Sequence, residues 1–171
     1  MGVTWSISGD RENRVGLYRH NEGIMQEGRT VHVGLDINVP LGSALYSPYD
    51  ALVAYTDYEA GDGNYGWMVI LETSVGGQTL YLLFGHLAQA GRAPAGASLQ
   101  AGDLIGYVGD FHENGNYFHH THLQILTPEA LDHWTFRALC RPDQVKELDR
   151  LCPSPLPLIL AMPGVGGIVG R

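Results

Sequence analysis

The stretch Val31-His32-Val33-Gly34-Leu35-Asp36-Ile37 decides how this chain is read. Its run of apolar and β-favouring residues, ended by Pro40 and Gly42, predicts a strand. Side chains on a strand alternate faces, so positions an even number apart lie on the same side. His32 and Asp36, four apart, therefore share a face of this predicted strand. A second predicted strand, His120 to Leu126, is closed by Pro128 and carries His120 and His122 two apart. Two such strands can bring their polar groups to one point.

Working outward, short strands recur. Ala44 to Tyr46, Leu52 to Tyr55, Trp67 to Glu72, Gln78 to Phe84 and Leu104 to Val108 are each bounded by turn residues. The clearest turns are Gly61-Asp62-Gly63-Asn64 and Gly76-Gly77, the latter spaced as in a hairpin. Short strands with turns at this spacing predict an all-β sheet, sandwich or barrel. The 23 glycines and nine prolines suit many tight turns and not a helical bundle. Residues 1–30 read as an N-terminal extension with one or two short strands around Val15 to Tyr18. Residues 31–127 form the predicted core, and 128–171 a helical and Pro-rich tail packing on it. In the tail, Glu129 to Leu139 and Asp143 to Leu151 are helix-compatible. Pro153, Pro155 and Pro157 call for extended chain, and Pro163 to Gly167 reads as mobile.

At 171 residues the chain is long enough for one domain with a sizeable core. Hydrophobic residues make up 44% and charged residues 16%, which excludes a disordered chain. Ten Lys plus Arg face eighteen Asp plus Glu, a formal net charge of −8 with no basic run to offset it. Binding to a phosphate backbone or an anionic membrane needs clustered cations, so neither nucleic acid nor a membrane is an expected partner. No apolar stretch is long enough to span a bilayer. The start, Met1-Gly2-Val3-Thr4-Trp5, lacks the profile of a secretion signal. A cytoplasmic protein and an exported one that has lost a leader both fit. Cys140 and Cys152, twelve apart, read as small apolar residues in preference to a disulfide pair.

The chemistry lies in the histidines. Of eight, His112, His119, His120 and His122 fall between Phe111 and Leu123. His20, His112, His119 and His133 read as surface or hydrogen-bonded residues. Two imidazoles and one carboxylate, drawn from His32, Asp36, His120 and His122, make a nitrogen and oxygen set that suits zinc. Three protein donors leave a position open, as catalytic rather than structural zinc requires.

The chain is similar to peptidase family M23, the LytM and lysostaphin relatives. The family's His-x-Gly-x-Asp motif reads here His32-Val33-Gly34-Leu35-Asp36, followed by Pro40 to Pro48 as the usual turn segment. Tyr65-Gly66, Phe84-Gly85-His86-Leu87, Gly102 to Gly109 and His120-Thr121-His122-Leu123-Gln124 continue the pattern in the family's order, over roughly residues 31–126. The likeness is closest to M23-like segments of large proteins that also carry aminotransferase-like and kinase-like domains. There an Asn-Gly stretch precedes the final motif, as at Asn114-Gly115, and a Ser-Pro-x-Pro segment closes the domain, as at Ser154 to Pro157.

This resemblance implies an antiparallel sheet sandwich with duplicated hybrid motif and a short helical tail. It implies Zn2+ as cofactor, held by His32, Asp36 and His122, with His86 and His120 as the catalytic pair. The implied partner is a peptide, glycine-containing or a peptidoglycan cross-bridge, or other domains of a larger protein. The alternatives are a catalytically weak zinc- or ligand-binding regulatory module and a His-based phosphocarrier. Phe84 stands where Tyr is common, and Thr121 and Gln124 stand where Leu and Glu are usual. The last two are expected to affect the strand and no ligand.

Overall fold

The computed structural model describes residues 5–133 and 137–160. The chain opens with strand β1 (Ser6–Ser8), then two short helices, α1 (Val15–Tyr18) and α2 (Glu22–Glu27). Strands β2 (Val31–His32), β3 (Leu35–Asn38), β4 (Ala44–Tyr46), β5 (Ala51–Glu59), β6 (Gly66–Val75), β7 (Gln78–Leu87), β8 (Ser98–Leu99), β9 (Leu104–Tyr107) and β10 (Thr121–Leu126) follow. Helix α3 (Pro128–His133), strand β11 (Leu139–Cys140), a 3-10 helix (Pro142–Glu147), α4 (Leu148–Leu151) and α5 (Leu156–Leu160) close it.

Seven strands make one antiparallel sheet in the order β1-β3-β10-β7-β6-β5-β8. Two small sheets, β11-β2 and β4-β9, flank it. The predicted all-β class, with its short helical tail, is the observed one.

The main sheet is buried on both faces, and period-two alternation sorts its side chains. Met68, Ile70, Leu83 and Leu126 pack on one face with Val31, Ala130, Leu148 and Leu151. Val69, Leu71, Leu82, Phe84, Leu123 and Ile125 pack on the other with Ile105 and Ile159. Every residue of β10 is buried. Its even-numbered positions put His122 and Gln124 on the face covered by the C-terminal helices, beside Leu126. This explains how polar groups come to sit in a core layer: they share a strand that must be buried anyway.

Several local expectations give way. Val15–Tyr18 is a helix, since its backbone finds helical partners in Leu17 N–H and Tyr18 N–H donating to Arg14 O. Asp143 to Leu151 is part 3-10 and part α. Pro157 lies inside helix α5, where its missing N–H falls in the first turn and costs nothing. Of the helix expected to Leu139, Pro128–His133 is described, and Leu139 itself lies in β11. Pro163 to Gly167 lies outside the described residues.

The deciding stretch is also not one strand. It breaks at Val33-Gly34, where Val33 N–H donates to Ala138 O and Gly34 takes φ +106°. His32 therefore pairs with β11, and Asp36 with β10. The break is what lets both side chains turn toward one point. A Cβ on Gly34 would sit 2.6 Å from Leu123 O and 3.1 Å from His122 Nε2. Gly34→Ala is expected to cost on the order of 2–3 kcal/mol through backbone strain and crowding. Urea unfolding at unchanged m-value checks this; an unmoved midpoint contradicts it.

Candidate metal centre

The antiparallel register of β3 and β10 places His122 opposite Asp36. Three donor atoms meet there. His122 Nδ1 lies 3.0 Å from Asp36 Oδ1, His32 Nε2 lies 3.2 Å from the same oxygen, and the two ring nitrogens are 3.1 Å apart. All three residues are buried. A tetrahedral ion with arms of about 2.0–2.1 Å spans donors about 3.3–3.4 Å apart, so the triangle is slightly tighter than a zinc-like ion would hold it and opens to fit with shifts of a few tenths of an ångström. The donor set also fits chemically, with two imidazoles and one carboxylate.

The remaining ring nitrogens are fixed by partners farther out. His32 Nδ1–H donates to Gly9 O at 2.8 Å. His122 Nε2 lies 3.2 Å from Gln124 Oε1, which also accepts from the Tyr65 hydroxyl at 2.9 Å. Gln124 was expected to touch no ligand; it touches His122 directly. The same two-residue spacing that joined His120 to His122 puts Gln124 on their face, so the strand pattern held that signal. Nothing in the pattern pointed to Gly9 or to Arg14, whose Nη1 donates to Asp36 Oδ2 at 2.7 Å.

Two further imidazoles stand beside the triangle. His86 and His120 have ring centroids 4.3 Å apart. His86 Nδ1–H donates to Asn114 O at 2.6 Å and His120 Nδ1–H to Phe118 O at 2.7 Å, which leaves each Nε2 with a free lone pair. His120 Nε2 is 3.7 Å from Asp36 Oδ1. His86 holds φ +63° at the end of β7, a conformation uncommon for a residue with a Cβ and one that turns the ring inward. The Asn114 loop is held against β6 at Gly66, where a Cβ would meet Glu113 O at 2.2 Å.

His20 and His119 lie away from this cluster; His119 is exposed and sits 3.3 Å from Asp110. His112 is exposed too. Phe84 packs on the opposite sheet face. Cys140 and Cys152 are buried free thiols in the core layer under the C-terminal helices. Burial pushes their thiols up to about 11 and about 12, so they stay protonated, as small apolar residues would.

Electrostatics follow from burial. Desolvation opposes ionisation of Asp36, but its polar contacts with His122 and His32 outweigh it and hold the carboxyl far below the usual range. Desolvation pushes His86 well below 6.5, helped by repulsion from His120 and His122. It lowers His120 and His122 too, against the pull of Asp36. These rings are neutral at pH 7, the state in which an imidazole can bind a metal or accept a proton.

The cluster lines a cavity of only about 20 Å³, roofed by Arg14, Leu17, Tyr18, Tyr117 and Phe118. The Tyr117 hydroxyl donates to that of Tyr18 at 3.1 Å and ties the roof down. Clefts of about 180 and 360 Å³ adjoin it, sharing Gly63 and Tyr65 on one side and Leu17 and Phe118 on the other.

An antiparallel sheet with a buried His, Asp and His cluster and two neighbouring imidazoles has the layout of a β-sheet peptidase domain. Residues 30–132 match the model of Peptidase family M23, and the chain belongs to that family. Solved structures agree on the fold. The catalytic domain of the prophage-encoded M23 protein EnpA from Enterococcus faecalis, solved as a point mutant, superposes with a TM-score of 0.56 at 21% identity, over 85% of this chain and 94% of that one. The antimicrobial peptidase lysostaphin from Staphylococcus simulans gives 0.51 at 19% identity, over 82% of this chain and 48% of that one. No curated protein sequence matches significantly.

With folded-state values below 6.5 for His86, His120 and His122, only the unfolded chain takes up protons as pH first drops below that value. Their contribution to stability is complete above about pH 6.5 and is lost as pH falls. The urea midpoint of metal-free protein is expected to drop between about pH 7 and 5; a flat midpoint contradicts the burial of neutral rings.

Proposed function

We propose that this protein is a zinc-dependent endopeptidase that cuts short peptides, glycine-containing or from peptidoglycan cross-bridges. The observation that carries this reading is the triangle of His32 Nε2, Asp36 Oδ1 and His122 Nδ1, with sides of 3.0–3.2 Å, beside two imidazoles with free Nε2 lone pairs. His32, Asp36 and His122 would hold the ion. A bound zinc supplies Lewis acidity, polarising a carbonyl and acidifying water near neutral pH.

The protein's own groups do the rest. His120, its Nδ1–H tied to Phe118 O, presents Nε2 toward the cluster and takes the proton of the attacking water. His86, held by Asn114 O, stabilises the developing oxyanion or returns a proton to the leaving amine. An exchange of these two roles fits the same geometry. Tyr65 and Gln124 keep His122 in the tautomer whose Nδ1 is free for an ion. The adjoining clefts have room for residues on either side of the scissile bond. The central cavity holds about one water molecule and no peptide, so substrate reaches it only when side chains of the roof move aside.

That tight cavity favours a second reading, a metal-binding regulatory module with weak catalysis. A phosphocarrier would need the His pair alone, without the ion or Asp36. Metal analysis of untagged protein and a hydrolysis assay with glycine-containing peptides separate the three. The expected result is one zinc per chain and cleavage that stops with chelator and returns with zinc. His86→Ala and His120→Ala should lower kcat by about 10²-fold or more while keeping the metal. His32→Ala and Asp36→Ala should lose the metal itself. Zinc without cleavage would favour the regulatory module, and loss of zinc from His86→Ala would contradict the division between ligands and catalytic pair.

A further inference from the structure

Asp36 divides its two oxygens between different neighbours. Oδ1 faces His32, His122 and His120 at 3.2, 3.0 and 3.7 Å. Oδ2 accepts a hydrogen bond from Arg14 Nη1 at 2.7 Å. The pair is almost withdrawn from water, with side chains 9% and 3% exposed. Arg14 is itself held in place. Its Nε donates to Glu12 Oε2 at 3.0 Å, and its backbone N–H donates to Thr30 O at 2.6 Å. It also precedes residues 30–132, the stretch that matches the family.

A carboxylate can offer an ion one oxygen or two. If Asp36 offered both, the second would take the corner that a hydrolytic centre keeps open. A guanidinium seated on Oδ2 opposes that, because it takes up one of that oxygen's lone pairs and its positive charge repels a cation approaching the same atom. Partners behind a ligand orient it and tune the ion it holds.

We propose that Arg14 is a positioning residue for the metal centre: by occupying Oδ2 it makes Asp36 a one-oxygen ligand and preserves an open coordination position. The proposal rests on the reading of His32, Asp36 and His122 as metal ligands, and not on peptidase activity.

The test uses cobalt(II) in place of zinc, because its visible absorption weakens as coordination number rises. Full-length wild type, Arg14→Met and Arg14→Lys are loaded with one equivalent and compared. Arg14→Met, which removes the donor, should lose visible intensity relative to wild type as Oδ2 joins the ion. Arg14→Lys, which keeps a cationic donor, should restore the wild-type spectrum. A role confined to folding would lower the melting temperature of Arg14→Met without changing its spectrum, and an unchanged spectrum overturns the proposal. A zinc-loaded crystal structure of wild type needs no variant. Oδ2 still paired with Arg14 supports the assignment, and Oδ2 within about 2.2 Å of the ion overturns it. Failure of wild type to bind cobalt at all would instead bring down the metal centre, and this proposal with it.

Discussion

The antiparallel pairing of β10 with β3 is the contact on which the site depends. It sets His122 across from Asp36, and the break at Gly34 then swings His32 to the same spot. A slip of one residue would turn His122 and Gln124 to the other face and exchange them for Leu123 and Ile125. That slip is opposed by the core, since both faces of β10 are buried and each demands its own set of side chains. Site geometry is therefore protected by hydrophobic packing several residues away from it.

Asp36 shows how a buried charge is kept affordable. It sits among imidazole rings in polar contact with it and beside one guanidinium that matches its charge. Removing a carboxylate from water costs several kcal/mol unless partners replace the lost hydration. Here the partners come from three separated parts of the chain: Arg14, His32, and the pair His120 and His122. The N-terminal segment belongs to the electrostatics of the site as much as the sheet does.

Much of this was legible in the sequence, for reasons that can be named. Strand alternation joined His120 to His122, and burial on two faces made β6, β7 and β10 read as apolar runs. The spacing of His32 and Asp36 was informative although the reason first attached to it, a shared strand, does not hold: a glycine at positive φ achieves the same convergence by a bend. Alternation also reached Gln124, but a residue differing from the family's usual Glu was too readily set aside. Arg14 was out of reach, because its contact with Asp36 spans 22 positions and comes from a short helical region with no periodic signal. The tail misled through its prolines, which in α5 lie where a helix tolerates them.

Behind His122 and beside the Asn114 loop, backbone is laid on backbone. At Gly34 and Gly66 the approach is so close that even a methyl group has nowhere to go. Neither contact can take a side chain unless the backbone moves. The roof is different, for Leu17 and Phe118 are more than half exposed and their side chains can be swapped with little harm to the core. Room for change around the cavity is thereby greatest at its roof, while the glycine contacts behind it leave none.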